Sequence, residues 1–461
     1  MSLASPADGQ NQAPAPPIPP KPPHDPYAPL RIPNFRWFVV SILTMAMSAQ
    51  IQGVVVAWQM YEITRDPLAL GLVGLAEAAP FIGLALYAGH VADVRDRRRV
   101  ALVSLVLLLA CAVGLAAASA IFFGPGHPHR GAIVRAVIYG VIVICGAARS
   151  FLLPARNALG ADLVPRPLFP SAVAWRAGSW QVAAVAGPAL GGLFYWWFGP
   201  TRSYVISAVL MAVSLFTVAR IRAPARRPPA GGETALLASV REGLAFLFKR
   251  PIFMGAITLD LFAVLFGGAV AILPIFAADI LHVGPGGLGA LRAAPAIGAV
   301  LMSGVIALRP PGRRLGRIFL RSVIAFGIFM IGFALSRSFL LSLVLLALSG
   351  AADMLSVYFR STLMQVMVPS GMLGRVSAVN QIFIGSSNEL GAFESGVAAR
   401  LLGTVSSVVV GGAVTIGVAL VTNRVFPALA RLDTFTDYEA AASSDEPAAA
   451  AITPAPPSAP S

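Results

Sequence analysis

Hydrophobic and polar positions in this chain do not alternate, and they do not repeat with a helical period on one face. They come in blocks. Apolar runs of about 20 residues, each long enough to cross a bilayer as a helix, begin near Phe35, Leu68, Val100, Ile133, Ala172 and Ser203. Six more begin near Ile252, Gly287, Ile318, Phe339, Val376 and Val405. The pattern predicts an all-α membrane protein with twelve transmembrane helices. Polar ends flank the blocks. Residues 1–33 are Pro-rich and 432–461 are rich in Ala, Pro, Ser and acids, so both read as disordered tails. The longest internal polar stretch, 223–250, divides the chain into 34–222 and 251–431, with six runs in each. Within it, Leu236, Val240, Leu244 and Phe248 recur at helical spacing, which predicts an amphipathic helix along the membrane surface.

Charge placement sets the orientation. Of the 34 basic residues, 22 fall in or beside the loops that follow even-numbered runs, and seven beside the odd ones, among them Arg292. Basic loops stay in the cytoplasm, so the even loops and both termini are expected there. Composition agrees with a lipid solvent. The chain is 57% hydrophobic and 12% charged, against about 25% charged in soluble domains. Its net charge of +14 does not mark a nucleic-acid partner, because the basic residues are dispersed between apolar runs. Cys111 and Cys145 both lie inside apolar runs and read as buried thiols. No Walker loop, Gly-x-Ser-x-Gly elbow or metal-spaced His/Cys/Asp set is found, which argues against a membrane enzyme, a catalytic residue or a metal site.

The two halves carry related segments. Arg149-Ser150 and Arg360-Ser361 open the stretches after runs four and ten, and Ser171-Ala172-Val173 and Ser377-Ala378-Val379 close them. An internal six-helix repeat is a transporter signature, with substrate bound between halves near the midplane.

Between runs two and three the chain reads GHVADVRDRRRV, with Gly89, Asp93, Arg97 and Arg98. In run five it reads AAVAGPALGG, with Gly187, Pro188, Gly191 and Gly192. On these motifs the chain resembles the major facilitator superfamily, in the branch of the enterobactin exporter and the drug:proton antiporters. Asp96 stands where many relatives have Gly, Val94 replaces a usual basic residue and Ala183 an expected Gly. The second copy of the loop, GVIALRPPGRRLGR, has Leu308 in place of the acid. The resemblance implies two pseudo-symmetric six-helix bundles that bind a small amphiphile, siderophore-like or drug-like, by alternating access. It also implies proton-coupled efflux from the bacterial cytoplasmic (inner) membrane by a monomer without cofactor. An importer, a lysophospholipid flippase or a non-transporting scaffold stay open as alternatives. In relatives the loop latches the cytoplasmic side, and the run-five motif limits leak along the seam. The arginines are then expected to meet acidic groups across the seam or anionic lipid, although Arg95 and Arg99 fit a purely topological role.

Ionisable groups inside a membrane cost several kcal/mol unless paired or hydrated, which makes each a functional candidate. Asp260 falls near the middle of run seven, where it would either exchange protons or bond a neighbouring helix. Glu77, Asp353 and Glu389 are further proton-coupling candidates. Asp353 also stands two turns from Arg360, a spacing that allows an ion pair, and Glu389 stands beside Ser387 and Asn388. Gln52 and Gln59, seven residues apart on one helical face, are substrate-cavity candidates, as is Arg149, whose alternative is a lipid anchor. Glu62 and Asp66 are expected to be solvated at the external boundary.

Overall fold

A computed structural model describes residues 25–122, 130–222, 251–368 and 373–434. Most of the tails and the whole 223–250 linker, with its expected amphipathic helix, lie outside the described residues. Those described form helices and no strand. In chain order they are α1 (Pro33–Thr64), α2 (Pro67–Val94), α3 (Arg97–Phe122) and α4 (Arg130–Asp162). A 52-residue element, Phe169–Arg220, follows. At 1.5 Å per residue it would measure about 78 Å, far more than the ~30 Å apolar core of a bilayer. It breaks at Gly199, whose φ of 73° suits a residue without Cβ, followed by Pro200. This gives α5 (169–198) and α6 (200–220).

The second half holds α7 (Pro251–Gly267, continued by short turns to Ile280), α8 (Gly284–Leu308) and α9 (Leu315–Leu335). It ends with α10 (Phe339–Met367), α11 (Leu373–Leu402), α12 (Thr404–Val425) and a short α13 (Pro427–Arg431). The twelve expected spans are therefore present. Their starts lie up to three residues before the apolar runs, because first turns recruit polar or proline residues such as Asp66-Pro67, where Asp66 accepts from the Leu68 N–H at 3.0 Å. The run in α11 is too polar to rank with the others by hydropathy, yet it folds as a full-length helix.

Twelve spans bring both ends of the chain to one face, the tail side; the opposite face is the distal side. Trp196, Trp197 and Phe198 are exposed at the distal end of α5, the depth at which aromatic rings meet a lipid headgroup region. Each half is knit internally. Ser48 and Ser207 hydroxyls bond at 2.9 Å between α1 and α6, and small residues allow that approach.

The cores show how the halves meet. One hydrophobic cluster joins both, with Ile51 and Tyr204 of the first half and Phe276, Leu288 and Phe333 of the second. Tailward clusters each belong to one half, Phe35, Phe38 and Leu159 in the first and Leu259, Phe319 and Leu363 in the second. The seam is therefore packed on the distal side. A Cβ added to Gly192 of α5 would stand 2.4 Å from the Pro285 carbonyl oxygen and 2.8 Å from Gly289 Cα, both on α8. On the other flank, a Cβ on Gly71 of α2 would meet Gly396 Cα of α11 at 2.9 Å. Gly89, 18 residues or five whole turns along the same face of α2, has nothing within 4 Å. So α2 and α11 touch distally, and no described residue approaches Gly89 at the tailward end of α2. Gly178 on α5 and Gly304 on α8 are similarly open.

A side chain at Gly192 should wedge the seam. We expect Gly192→Leu to cost the distally closed state about 1–3 kcal/mol of overpacking, roughly a fivefold to hundredfold population shift. A thiol reporter at Ala278→Cys should then label faster in membranes. Unchanged labelling would show that the seam does not depend on this contact.

Candidate functional site

Gly146 sets the geometry of the first charged pair. A Cβ there would meet the Glu77 carbonyl oxygen at 2.3 Å and Pro80 Cγ at 2.9 Å, so its absence lets α2 and α4 pack closely. Three residues further along α4, Arg149 Nη1 donates to Glu77 Oε1 as an ion pair. Ser150 donates to the Phe81 carbonyl at 3.1 Å and holds the same turn. Two residues considered separately in the sequence are thus one unit. Glu389 of α11 lies within electrostatic reach of Arg149 and of Arg292 on α8. Arg292 Nη1 comes within 3.6 Å of the position of a Gly53 Cβ on α1. Two carboxylates and two guanidiniums, one of each from either half, therefore face the seam.

Arg292 corrects the charge count. In sequence it lies beside an odd-numbered loop, but it stands eight residues into α8, about 12 Å along the helix. Its signal was present in GALRAAPAIG, a lone arginine among small residues.

The second-half repeat carries its own pair. Arg360 on α10 donates to Asp260 Oδ2 on α7 at 2.5 Å, and both side chains are about nine-tenths buried. The partner is Asp260 rather than Asp353, because Asp260 arrives from the facing helix. Asp353 shares a cleft with Asp260, Ser322 and Ser356, between α7, α9 and α10. Arg149 and Arg360 thus occupy corresponding places on the fourth helix of each half, but their acids come from the second helix in one half and the first in the other.

Gln52 and Gln59 turn away from the seam. Gln52 Nε2 reaches Cys145 Sγ at 3.8 Å, while Gln59 bonds Ser119 at 3.0 Å and Tyr204 at 2.8 Å, inside the first bundle. Both thiols are free and buried. Asn388 donates to the Ile384 carbonyl and Ser387 to the Phe383 carbonyl, so both serve their own helix rather than Glu389.

The loop arginines are also bound within one half. Arg97 donates to Asp162 Oδ2 at 2.6 Å, and Arg98 donates to the Ala219 carbonyl at 2.6 Å at the end of α6. Cations suit helix C-termini because the last carbonyls lack partners. Asp93 makes no hydrogen bond or ion pair among the described residues. In the run-five motif, Gly187 and Gly191 admit Gln50 and Ile51 of α1, while Pro188 and Gly192 face α8.

Distal residues expected to be merely solvated are joined instead. Asp66 pairs with Arg400 and Asp279 with Arg65, each across the halves. Tyr61 donates to Asp279, and Tyr195 and Trp58 donate to Glu62.

Two helical bundles, packed at one end of their seam and open at the other, with charged residues of both halves facing it, define a transporter of the major facilitator class. Solved structures share the fold. A POT family transporter in complex with a thioalcohol-conjugated peptide aligns with TM-score 0.65 and 13% identity over 86% of this chain and 96% of its own. The nucleoside transporter NupG aligns with TM-score 0.61 and 15% identity over 86% and 99%. The profile of the transmembrane secretion effector family matches residues 24–452, and the chain belongs to that family. The enterobactin exporter EntS of Shigella boydii is 28% identical over 355 residues, 75% of this chain and 80% of its own length. EntS of Escherichia coli matches over the same shares. The chain is thus a multi-pass membrane transporter of small molecules and not an enzyme.

A double-mutant cycle should expose the first-half pair. Glu77→Gln and Arg149→Gln should each lower thermal stability in detergent. The double substitution should lose less than their sum, by a coupling of about 1 kcal/mol. Strict additivity would mean that the pair contributes nothing.

Proposed function

We propose that the chain is a secondary active exporter that couples proton entry to efflux of a small amphiphile, siderophore-like or drug-like, by alternating access. One observation carries this reading. The charged residues of both halves meet at a seam that is packed distally and parted tailward, as a carrier waiting to load from the tail side would be. The relatives named as enterobactin exporters favour outward transport.

On this reading the tail side is the cytoplasm of a bacterium and the membrane its inner one. Both termini are cytoplasmic, 34–222 and 251–431 are the rocking bundles, and 223–250 is the cytoplasmic linker. The working unit is a monomer in contact with lipid. Glu77 and Glu389 compete for Arg149 across the seam, and a proton taken by one releases the guanidinium to the other. The Asp260–Arg360 pair lies within the second bundle, and Asp260 remains the second candidate carrier, with Asp353 beside it.

The loop motif serves the opposite state. Asp93, without a partner among the described residues, becomes a latch when the tailward side closes, meeting the positive N-terminus of a helix in the other half. Gly89 keeps the approach clear. Arg97 and Arg98 hold the loop to its own bundle in the meantime.

Proteoliposomes with an imposed pH gradient test the scheme. Glu389→Gln should abolish gradient-driven transport while leaving exchange at equal pH, and Asp93→Asn should slow both without changing membrane insertion. Full gradient coupling in Glu389→Gln, with coupling lost in Asp260→Asn, would move the proton path into the second bundle. Transport indifferent to the gradient in the unaltered protein would rule out proton coupling.

A further inference from the structure

By position, Arg156 and Arg176 are among the 22 basic residues in or beside the loops that follow even-numbered runs. In the fold both stand inside helices, Arg156 in the last two turns of α4 and Arg176 seven residues into α5. Their guanidiniums turn inward, near each other and near Arg149. Arg176 Nη2 donates to Asn157 Oδ1 at 2.7 Å and lies 5.8 Å from the Phe38 ring centroid. Arg156 has no acid as a partner among the described residues. Its Nη1 reaches only the Met45 thioether at 3.8 Å, and its Nε is buried with no acceptor among the described residues. Its Cζ lies 5.9 Å from the centroid of Trp180, a ring 41% exposed.

A buried guanidinium with no carboxylate is costly, and neighbouring positive charges raise that cost. Among the described residues, only Arg149 of the three arginines has an acid, Glu77. The excess positive charge stands on the tailward wall of the seam. Gln181, next to Trp180, donates to the Ala296 carbonyl of the other half at 3.2 Å. One turn tailward, Gly178 has nothing within 4 Å.

We propose that Arg156 and Arg176 form an oxyanion subsite for the acidic group of the cargo, with Trp180 stacking against its apolar or aromatic body. This rests on the transporter reading above and narrows it: the preferred cargo is an amphiphilic acid rather than a hydrophobic cation. The planar fork of Arg156 suits a carboxylate or other paired oxygens. The free Nε supplies one donor of the fork, and the thioether is a weak partner that an oxyanion displaces.

Binding can be read from tryptophan quenching by the full chain in phosphatidylcholine nanodiscs, with Trp180→Phe identifying the local signal. The probes are 1-naphthoate, its neutral analogue 1-naphthylmethanol, and tetraphenylphosphonium. We expect naphthoate to bind roughly tenfold to a hundredfold more tightly than the neutral analogue, the size of a charge-assisted hydrogen bond. Arg156→Gln should erase that difference while retaining naphthylmethanol binding, which reports a folded cavity. Arg156→Lys should keep part of it. If Arg156→Gln does not fold, Arg176→Gln provides the same comparison.

Equal binding of the acid and the neutral analogue, or an unchanged preference in both variants, would overturn the subsite. So would loss of naphthoate binding in phosphatidylglycerol nanodiscs, which would assign the arginines to a lipid headgroup. Transport in proteoliposomes separates this proposal from the one it rests on. Gradient-driven movement of neutral amphiphiles without preference for the acid sinks the subsite and leaves the exporter. Selective acid binding with no transport under any gradient does the reverse.

Discussion

A charge in the apolar core of a bilayer must find a partner or water, and that constraint organises this molecule. Translocon-based scales put an isolated Arg or Asp at the centre of a helix at about 2.5–3.5 kcal/mol. The chain meets that cost twice in similar fashion, with Arg149 against Glu77 and Arg360 against Asp260. Each pair ties the fourth helix of a half to another helix of the same half, so each bundle is internally cross-linked. Glu389 and Arg292 add charge from the second half at the seam. That is where charge can change partners without either bundle coming apart.

Rigid bundles need a seam that can open. Close backbone approach at Gly192 with Gly289, and at Gly71 with Gly396, is built from residues whose small size permits contact without interlocking side chains. Ion pairs of Asp279 with Arg65 and of Asp66 with Arg400 reinforce the same edge, and they are substantially exposed. Exposed pairs of this kind contribute about 0–1 kcal/mol each. A closure made of backbone contact and weak pairs is of the kind that the proposed alternating access requires.

The loop motif fits the same economy. Arg97 and Arg98 are occupied by Asp162 and by the last carbonyls of α6, which leaves Asp93 without a partner among the described residues in this arrangement. In the proposed rocking motion, contacts internal to a bundle would persist, whereas contacts across the seam would belong to one state. Arg156 and Arg176 are the exceptions among the inward cations, with no acid paired to either among the described residues.

Composition and block pattern alone determined the membrane class, the twelve spans and the two-half organisation. Lipid requires each span to satisfy its own backbone hydrogen bonds, so span length is written locally in the chain. The loop and run-five motifs were legible as residue patterns, but what the glycines meet, α1 at Gly187 and Gly191 and α8 at Gly192, was not. Partner choice was not legible. Asp353 and Arg360 share a helix at a plausible spacing, yet Arg360 meets Asp260 from another helix. Gln52 and Gln59 share a face, but that face turns into the first bundle. Arg292 sits beside a loop in the sequence, yet α8 carries it against α1. Only tertiary structure decides such matters, because they depend on the rotation of each helix about its axis. That rotation is set by packing among helices distant in the chain.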